Sequence, residues 1–203
     1  MFKLLSSFGC ALILLATVAT FFKKDNALSL TQDDEQKVVS QAHDFVLDGI
    51  DGKQHSLAEY IGHGKWVVVN VWATACPFCR DELFDLADFH DRHHEKDAIV
   101  LGLTLDLATF GFPDKKYLTS FAESYLIDYP ILMVSGDIAS KVVGKPINRV
   151  PVTLFYNPDG KLVYSVNGMV SEKMLEDVIA NKKPLHHSEW GDKATHVNNP
   201  NLE

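Results

Sequence analysis

The stretch KWVVVNVWATACPFCRDEL, Lys65 to Leu83, places the strongest constraint on how this chain folds. Its first half is a near-continuous apolar run rich in β-branched residues, the pattern of a strand covered on both faces of a sheet. Its second half sets Cys76 and Cys79 one helical turn apart, after which Leu83, Leu86, Ala87 and His90 continue at helical spacing. Pro77 suits a first helical turn, because its missing N–H had no partner there, and its ring stiffens the dithiol. The cysteines are therefore expected where a buried strand ends and a helix begins. Cys76 then meets the positive end of the helix dipole and unpaired backbone N–H groups. Such surroundings favour a thiolate and bring a thiol pKa of about 8.5 toward 7 or below. Cys79, one turn along, is expected to be more buried and to act second.

Strands and helices alternate through the rest of the domain. AIVLGLTL repeats the buried-strand pattern of KWVVVNVW, so both are expected at the centre of the sheet. Tyr117, Phe121 and Tyr125, with Leu118, Ala122 and Leu126, form a second apolar stripe at helical spacing. VTLFYNPDGKLVYSV reads as two strands joined by a turn at Asn157–Gly160, and SEKMLEDVIANKK as an amphipathic helix capped by Ser171. The order is βαβ, a further helix, then ββα, an α/β arrangement.

The ends differ from this domain. After Lys3 come 19 residues without a charge, closed by Lys23 and Lys24. A helix of that length reaches roughly 28 Å, near the thickness of a bilayer core. Residues 1–24 are thus an export signal or a membrane anchor, with the anchor favoured because the run is long for a signal. Cys10 lies inside the apolar run rather than after it, and reads as an apolar cysteine rather than a lipidation site. Residues 25–37 are an acidic linker, 38–182 the folded domain, and 183–203 a polar tail without apolar period. With 203 residues, 46% of them hydrophobic, one domain with a full core is expected. A net charge of -8 and no basic cluster argue against a nucleic-acid partner.

The cysteine pair by itself allows three readings. A structural disulfide between such close neighbours restrains the unfolded chain little. A zinc site needs a second ligand pair, for which His90, His93 and His94, with His186 and His187 in the tail, are the candidates. A solvated helix end is the simpler account of the first three. The remaining reading is a redox pair that exchanges with other disulfides.

The motif and its surroundings resemble the thioredoxin superfamily, in particular its extracytoplasmic TlpA/ResA-like thiol-disulfide oxidoreductases. AHDFVLDGIDGKQHSLAEYIGHGKWVVVNVWATACPFCRDEL is similar to that family's leader, hairpin, buried strand and W-A-T-x-C-x-x-C-R-x-E signature. RVPVTLFYNPDGKLVYSVNG is similar to its cis-proline strand and final hairpin. The resemblance implies a thioredoxin-like fold: a central mixed β-sheet flanked by helices, with an N-terminal β-hairpin extension and a helical insertion. It implies Pro151 as the cis-proline facing Cys76 and Cys79. Val150 then supplies the backbone edge for an extended substrate, with Trp72, Pro77 and Phe78 around it. Asp106 lies near an acidic residue of that branch, and reads as a proton relay or a helix cap.

Asn70 stands where thioredoxin has a buried carboxylate, and Phe84 replaces the usual kinking proline. The resemblance further implies protein substrates carrying disulfides or thiols, apocytochrome c among them, and a membrane thiol donor of electrons. No cofactor beyond the Cys76–Cys79 couple is required, and a monomer is expected. With no histidine between the cysteines, a reductant is favoured over an oxidant or isomerase. Copper delivery is the alternative, although copper-delivery relatives usually space their cysteines by three residues. Peroxidase relatives, which use a lone attacking cysteine, rank below it.

Overall fold

An unbroken run of valine and aromatic residues makes Trp66–Trp72 a strand that only a doubly covered place in a sheet accepts, and all seven residues are buried. The computed structural model describes residues 44–106, 115–181 and 194–195. In chain order the described elements are β1 (Val46–Gly49), β2 (Gln54–Ser56), a 3-10 turn (Leu57–Glu59), β3 (Trp66–Trp72), α1 (Pro77–His93), β4 (Ala98–Thr104) and α2 (Lys115–Ser124). They continue with β5 (Ile131–Met133), α3 (Gly136–Val143), β6 (Val152–Tyr156), β7 (Leu162–Asn167), α4 (Glu172–Ile179) and β8 (Ala194–Thr195).

The strands form one mixed sheet in the order β2-β1-β5-β4-β3-β6-β7-β8. β3 pairs in parallel with β4 and antiparallel with β6, which makes it central. Alternation along β3 then divides the core. Trp66, Val68 and Trp72 face a cluster with Leu83, Leu86 and Phe89 of α1 and Leu175 of α4. Val67, Val69 and Val71 face the other cluster, with Ala139 and Val142 of α3 and Leu57. The fold is a sheet with helices on both faces, and the βαβ and ββα orders read from the pattern are present.

Local signals explain the joints. Asn157 closes the β6–β7 turn by accepting from Gly160 N at 2.8 Å, and its Oδ1 accepts from Lys161 N at 2.8 Å. Gly160 takes φ +80° there and approaches Gly62 so closely that a Cβ would lie 3.0 Å from the Gly62 Cα. Ser171 caps α4 by accepting from Met174 N. Arg92 at the end of α1 reaches Glu172 at 2.7 Å and Glu176 at 2.9 Å on α4, joining the two helices of that layer.

Three features differ from the pattern reading. β5 and α3, with Ser135 as N-cap and Gly144 as a left-handed C-cap, occupy a region left unassigned. Leu126 lies beyond the end of α2, at φ 56° and 75% exposed, so the second stripe stops short of it. Within the segment read as a tail, Ala194–Thr195 pairs with Val166 and Ser165. Residues 1–24, with Cys10, and the linker 25–37 lie outside the described residues, as does the start of the domain at 38–43. Among the described residues no helix is long and apolar enough to cross a membrane.

Gly102 faces Asn70 across the β3–β4 ladder. A Cβ there would meet the Trp72 Nε1 at 3.0 Å and the Tyr129 Cε2 at 3.2 Å. Trp72 has no room to yield, being fully buried and stacked on Phe121 at 5.5 Å. Gly102→Ala is therefore expected to cost about 1 to 3 kcal/mol in urea unfolding, the range of overpacked cores.

Candidate active site

Cys76 is the N-cap of α1, and its Sγ accepts from Cys79 N at 3.1 Å. Pro77 occupies the first helical position, as its missing donor allows. The two cysteines form a disulfide with Cα atoms 5.3 Å apart. Cys76 is half-buried, whereas Cys79 is fully buried among Leu83, Leu86 and Trp72. An incoming group reaches Cys76 first. The Val150–Pro151 peptide is cis, and the Val150 carbonyl oxygen lies 3.6 Å from Cys76 Sγ. Pro77 and Phe78 are exposed beside the sulfur, Phe78 by 63%.

Trp72 has no exposed surface and so cannot line a substrate site directly. It acts as the floor on which Phe121 stacks. Asp106 is buried, and its carboxylate accepts from Thr74 N at 2.7 Å, from Thr74 Oγ1 at 3.1 Å and from Thr104 Oγ1 at 2.7 Å. Those three bonds hold the loop between β3 and Cys76 against the end of β4. Asp106 thus ties the residues just before Cys76 to the end of β4 through Thr74.

Beneath the pair lies a group that the pattern reading passed over. Glu82, three residues past Cys79 on the same side of α1, is fully buried. Its Oε1 accepts from Asn70 Nδ2 at 2.8 Å, and its Oε2 from Val170 N at 2.7 Å. Asn70 Nδ2 also donates to Thr153 Oγ1 at 2.9 Å. Burial pushes the Glu82 carboxyl up to about 8; the Val170 and Asn70 donors lower it only in part, and Asp85 adds to the rise. A signal was present, since Glu82 is a charged residue in the apolar stripe of Cys79, Leu83 and Leu86.

Of the three histidines, His94 fits the solvated helix end, whereas His90 and His93 do not. His90 is buried and accepts from Val100 N at 3.0 Å through Nδ1. His93 lies between Asp97, at 2.7 Å, and Glu176, at 3.0 Å. Among the described residues no group of three or more His, Cys, Asp or Glu side chains could hold a metal ion. His186 and His187 lie outside the described residues.

The model of the AhpC/TSA family matches residues 38–165, which include both cysteines, the cis-proline and most of the sheet. The chain belongs to the AhpC/TSA family. It is similar to the thiol-disulfide oxidoreductase ResA of Bacillus subtilis (strain 168), 27% identical over 146 residues that cover 71% of this chain and 75% of that protein. Among solved structures it is similar to a DsbF homologue from Corynebacterium diphtheriae, with TM-score 0.58 and 26% identity, covering 67% of this chain and 82% of the other. A secreted Mycobacterium tuberculosis disulfide oxidoreductase homologous to E. coli DsbE shares the fold at TM-score 0.56 and 22% identity, covering 69% of this chain and 97% of that one. The fold is thioredoxin-like, as the resemblance in the sequence implied, and the ResA-like relatives agree with the family named there.

Two expectations follow from the buried carboxylates. The Glu82 carboxyl binds its proton more tightly folded than unfolded, so folding takes up a proton between its unfolded pKa of 4.5 and about 8. The stability this gives the protonated form is complete below the lower value and is lost as pH rises through the upper one. Thermal unfolding midpoints of the native protein should therefore fall, relative to those of Glu82→Gln, from about pH 5 to pH 8. Asp106→Ala removes the acceptor of Thr74 N and two hydroxyls. It should lower stability by about 1 to 3 kcal/mol for each donor left without a partner. Asp106→Asn should lose less.

Proposed function

We propose that this chain is an extracytoplasmic thiol-disulfide oxidoreductase that reduces disulfides of partner proteins. The observation that carries the reading is the half-exposed Cys76 at a helix N-terminus beside a fully buried Cys79. Reduced Cys76 attacks one sulfur of a partner disulfide; that S–S bond breaks, a mixed disulfide forms and one partner thiolate leaves. Cys79 then attacks Cys76 Sγ, which releases the second partner thiolate and closes the Cys76–Cys79 bond. Two electrons pass to the partner.

Glu82 receives the proton that Cys79 must lose. A carboxyl held up near 8 lies much closer to a buried thiol than an ordinary carboxyl would, so the proton moves between them at modest cost in free energy. An extended substrate segment pairs with the backbone at Val150, and Phe78 packs against it. Exchange needs no bound cofactor, because the dithiol itself holds the electrons. The oxidised pair is returned to the dithiol by a thiol donor at the membrane. Extracytoplasmic placement is supported by the uncharged run before Lys23 and by the secreted structural relative. Cytochrome c precursors with paired cysteines are the proposed substrates.

Trapping tests the order of attack. Cys79→Ser should accumulate mixed disulfides with partner proteins, detected by mass spectrometry of non-reducing adducts, and Cys76→Ser should accumulate few. More adduct on Cys76→Ser would reverse the two roles. Thiol-dependent copper binding by the native protein, with no adduct on either variant, would put copper delivery in place of exchange.

A further inference from the structure

Asn70 has no exposed surface and sits opposite Thr153 in the β3–β6 ladder. Its carboxamide makes two bonds of the same sense: Nδ2 donates both to Glu82 Oε1, at 2.8 Å, and to Thr153 Oγ1, at 2.9 Å. Asn70 Oδ1 has no partner among the described residues. The second Glu82 oxygen meets another donor, Val170 N. This set of donors matches an ionised Glu82, which only accepts.

A protonated Glu82 changes the requirement. With the proton on Oε1, an O–H would point at the amide N–H of Asn70, donor against donor. Turning the carboxamide by half a revolution puts Oδ1 where Nδ2 was, since the two ends are nearly the same size. Oδ1 then accepts from Glu82 Oε1–H. The Thr153 hydroxyl both donates and accepts, so by rotating its hydrogen it gives a second bond to Oδ1. Neither end of Asn70 binds a second protein group on its far side, so the choice between the two orientations falls to Glu82.

We propose that Asn70 is a positioning residue whose carboxamide turns over as Glu82 gains or loses its proton. Nδ2 faces the carboxylate and Oδ1 faces the carboxylic acid. The inference rests on Glu82 being the proton acceptor of the exchange reaction. Its consequence is that a fully buried acid keeps a matched partner in both states. Aspartate at this position would place a second carboxylate 2.8 Å from the first. Leucine would leave the acid without a side-chain partner in either state. Asparagine keeps one charge state and presents a donor or an acceptor from nearly the same volume.

Nuclear magnetic resonance of the isotopically labelled full chain tests this. The Glu82 Cδ shift reports its protonation, and contacts between the Asn70 Hδ2 protons and the Thr153 methyl group report which end of the amide faces Thr153. The expected result is one common midpoint near pH 8, with the Hδ2–methyl contacts strong above it and at least fivefold weaker below. In Glu82→Gln the Asn70 amide should keep one orientation across the same range. A Glu82 that titrates while those contacts stay constant overturns the turnover and leaves the acceptor role standing. A Glu82 that does not titrate between pH 5 and 10 overturns both. Neutron diffraction on crystals at pH 6 and pH 10 gives an independent reading: deuterium on the Glu82-facing end of Asn70 at both values contradicts the proposal.

Discussion

The 3.1 Å bond from the Cys79 amide to Cys76 Sγ ties chemistry to fold, because it makes the more exposed sulfur of the pair the cap of α1. A sulfur in that place takes a hydrogen bond that the first helical turn must give to something, and it lies in the positive field of the helix end. The thiolate is favoured for both reasons. Everything else in the site keeps this junction in place. β3 is buried along its whole length, so the strand that delivers the motif cannot shift. Asp106 grips Thr74, two residues before the cysteine, and the backbone carbonyl of Val150, next to the cis Pro151, lies 3.6 Å from the sulfur.

Below the pair, the structure carries a cost that a purely apolar core would avoid. Glu82 and Asn70 are both fully buried in the middle of α1 and β3. Burial opposes the carboxylate form, and the hydrogen bonds from Asn70 and Val170 offset this only in part. A group held between its two states is poorly suited to stabilising a fold. It is well suited to accepting a proton from a buried thiol, which must become a thiolate to close the disulfide. Thioredoxin's carboxylate has no counterpart on β3, where Asn70 stands. In this chain the buried acid stands on the helix, and Asn70 on the strand is its hydrogen-bond partner.

Much of this was legible in the residues. The strand-to-helix place of the cysteines, the Asn157–Gly160 turn and the Ser171 cap are encoded within a few residues of one another, and the structure has each of them. The elements missed depend on neighbours distant in sequence. β5 has three residues and is a strand only because β4 and β1 flank it. His90 lost its solvent to Val100 and Tyr129, neither of which its own helix reveals. Glu82 sat in plain view in the signature, but its burial is set by Asn70, 12 residues before it, and Val170, 88 residues after it. Trp72 was placed at the substrate because it adjoins the motif, whereas strand alternation turns it into the core beside Val68.

The helix end is expected to make Cys76 the thiolate of the reduced pair. The most direct measurement is the thiolate absorbance near 240 nm of the reduced protein against pH, with Cys76→Ser and Cys79→Ser used to assign the two transitions. Cys76 is expected to titrate well below the ordinary thiol value of about 8.5, and Cys79, buried one turn deeper, above it. A Cys79 that ionises first, or a Cys76 no more acidic than a free cysteine, would contradict it.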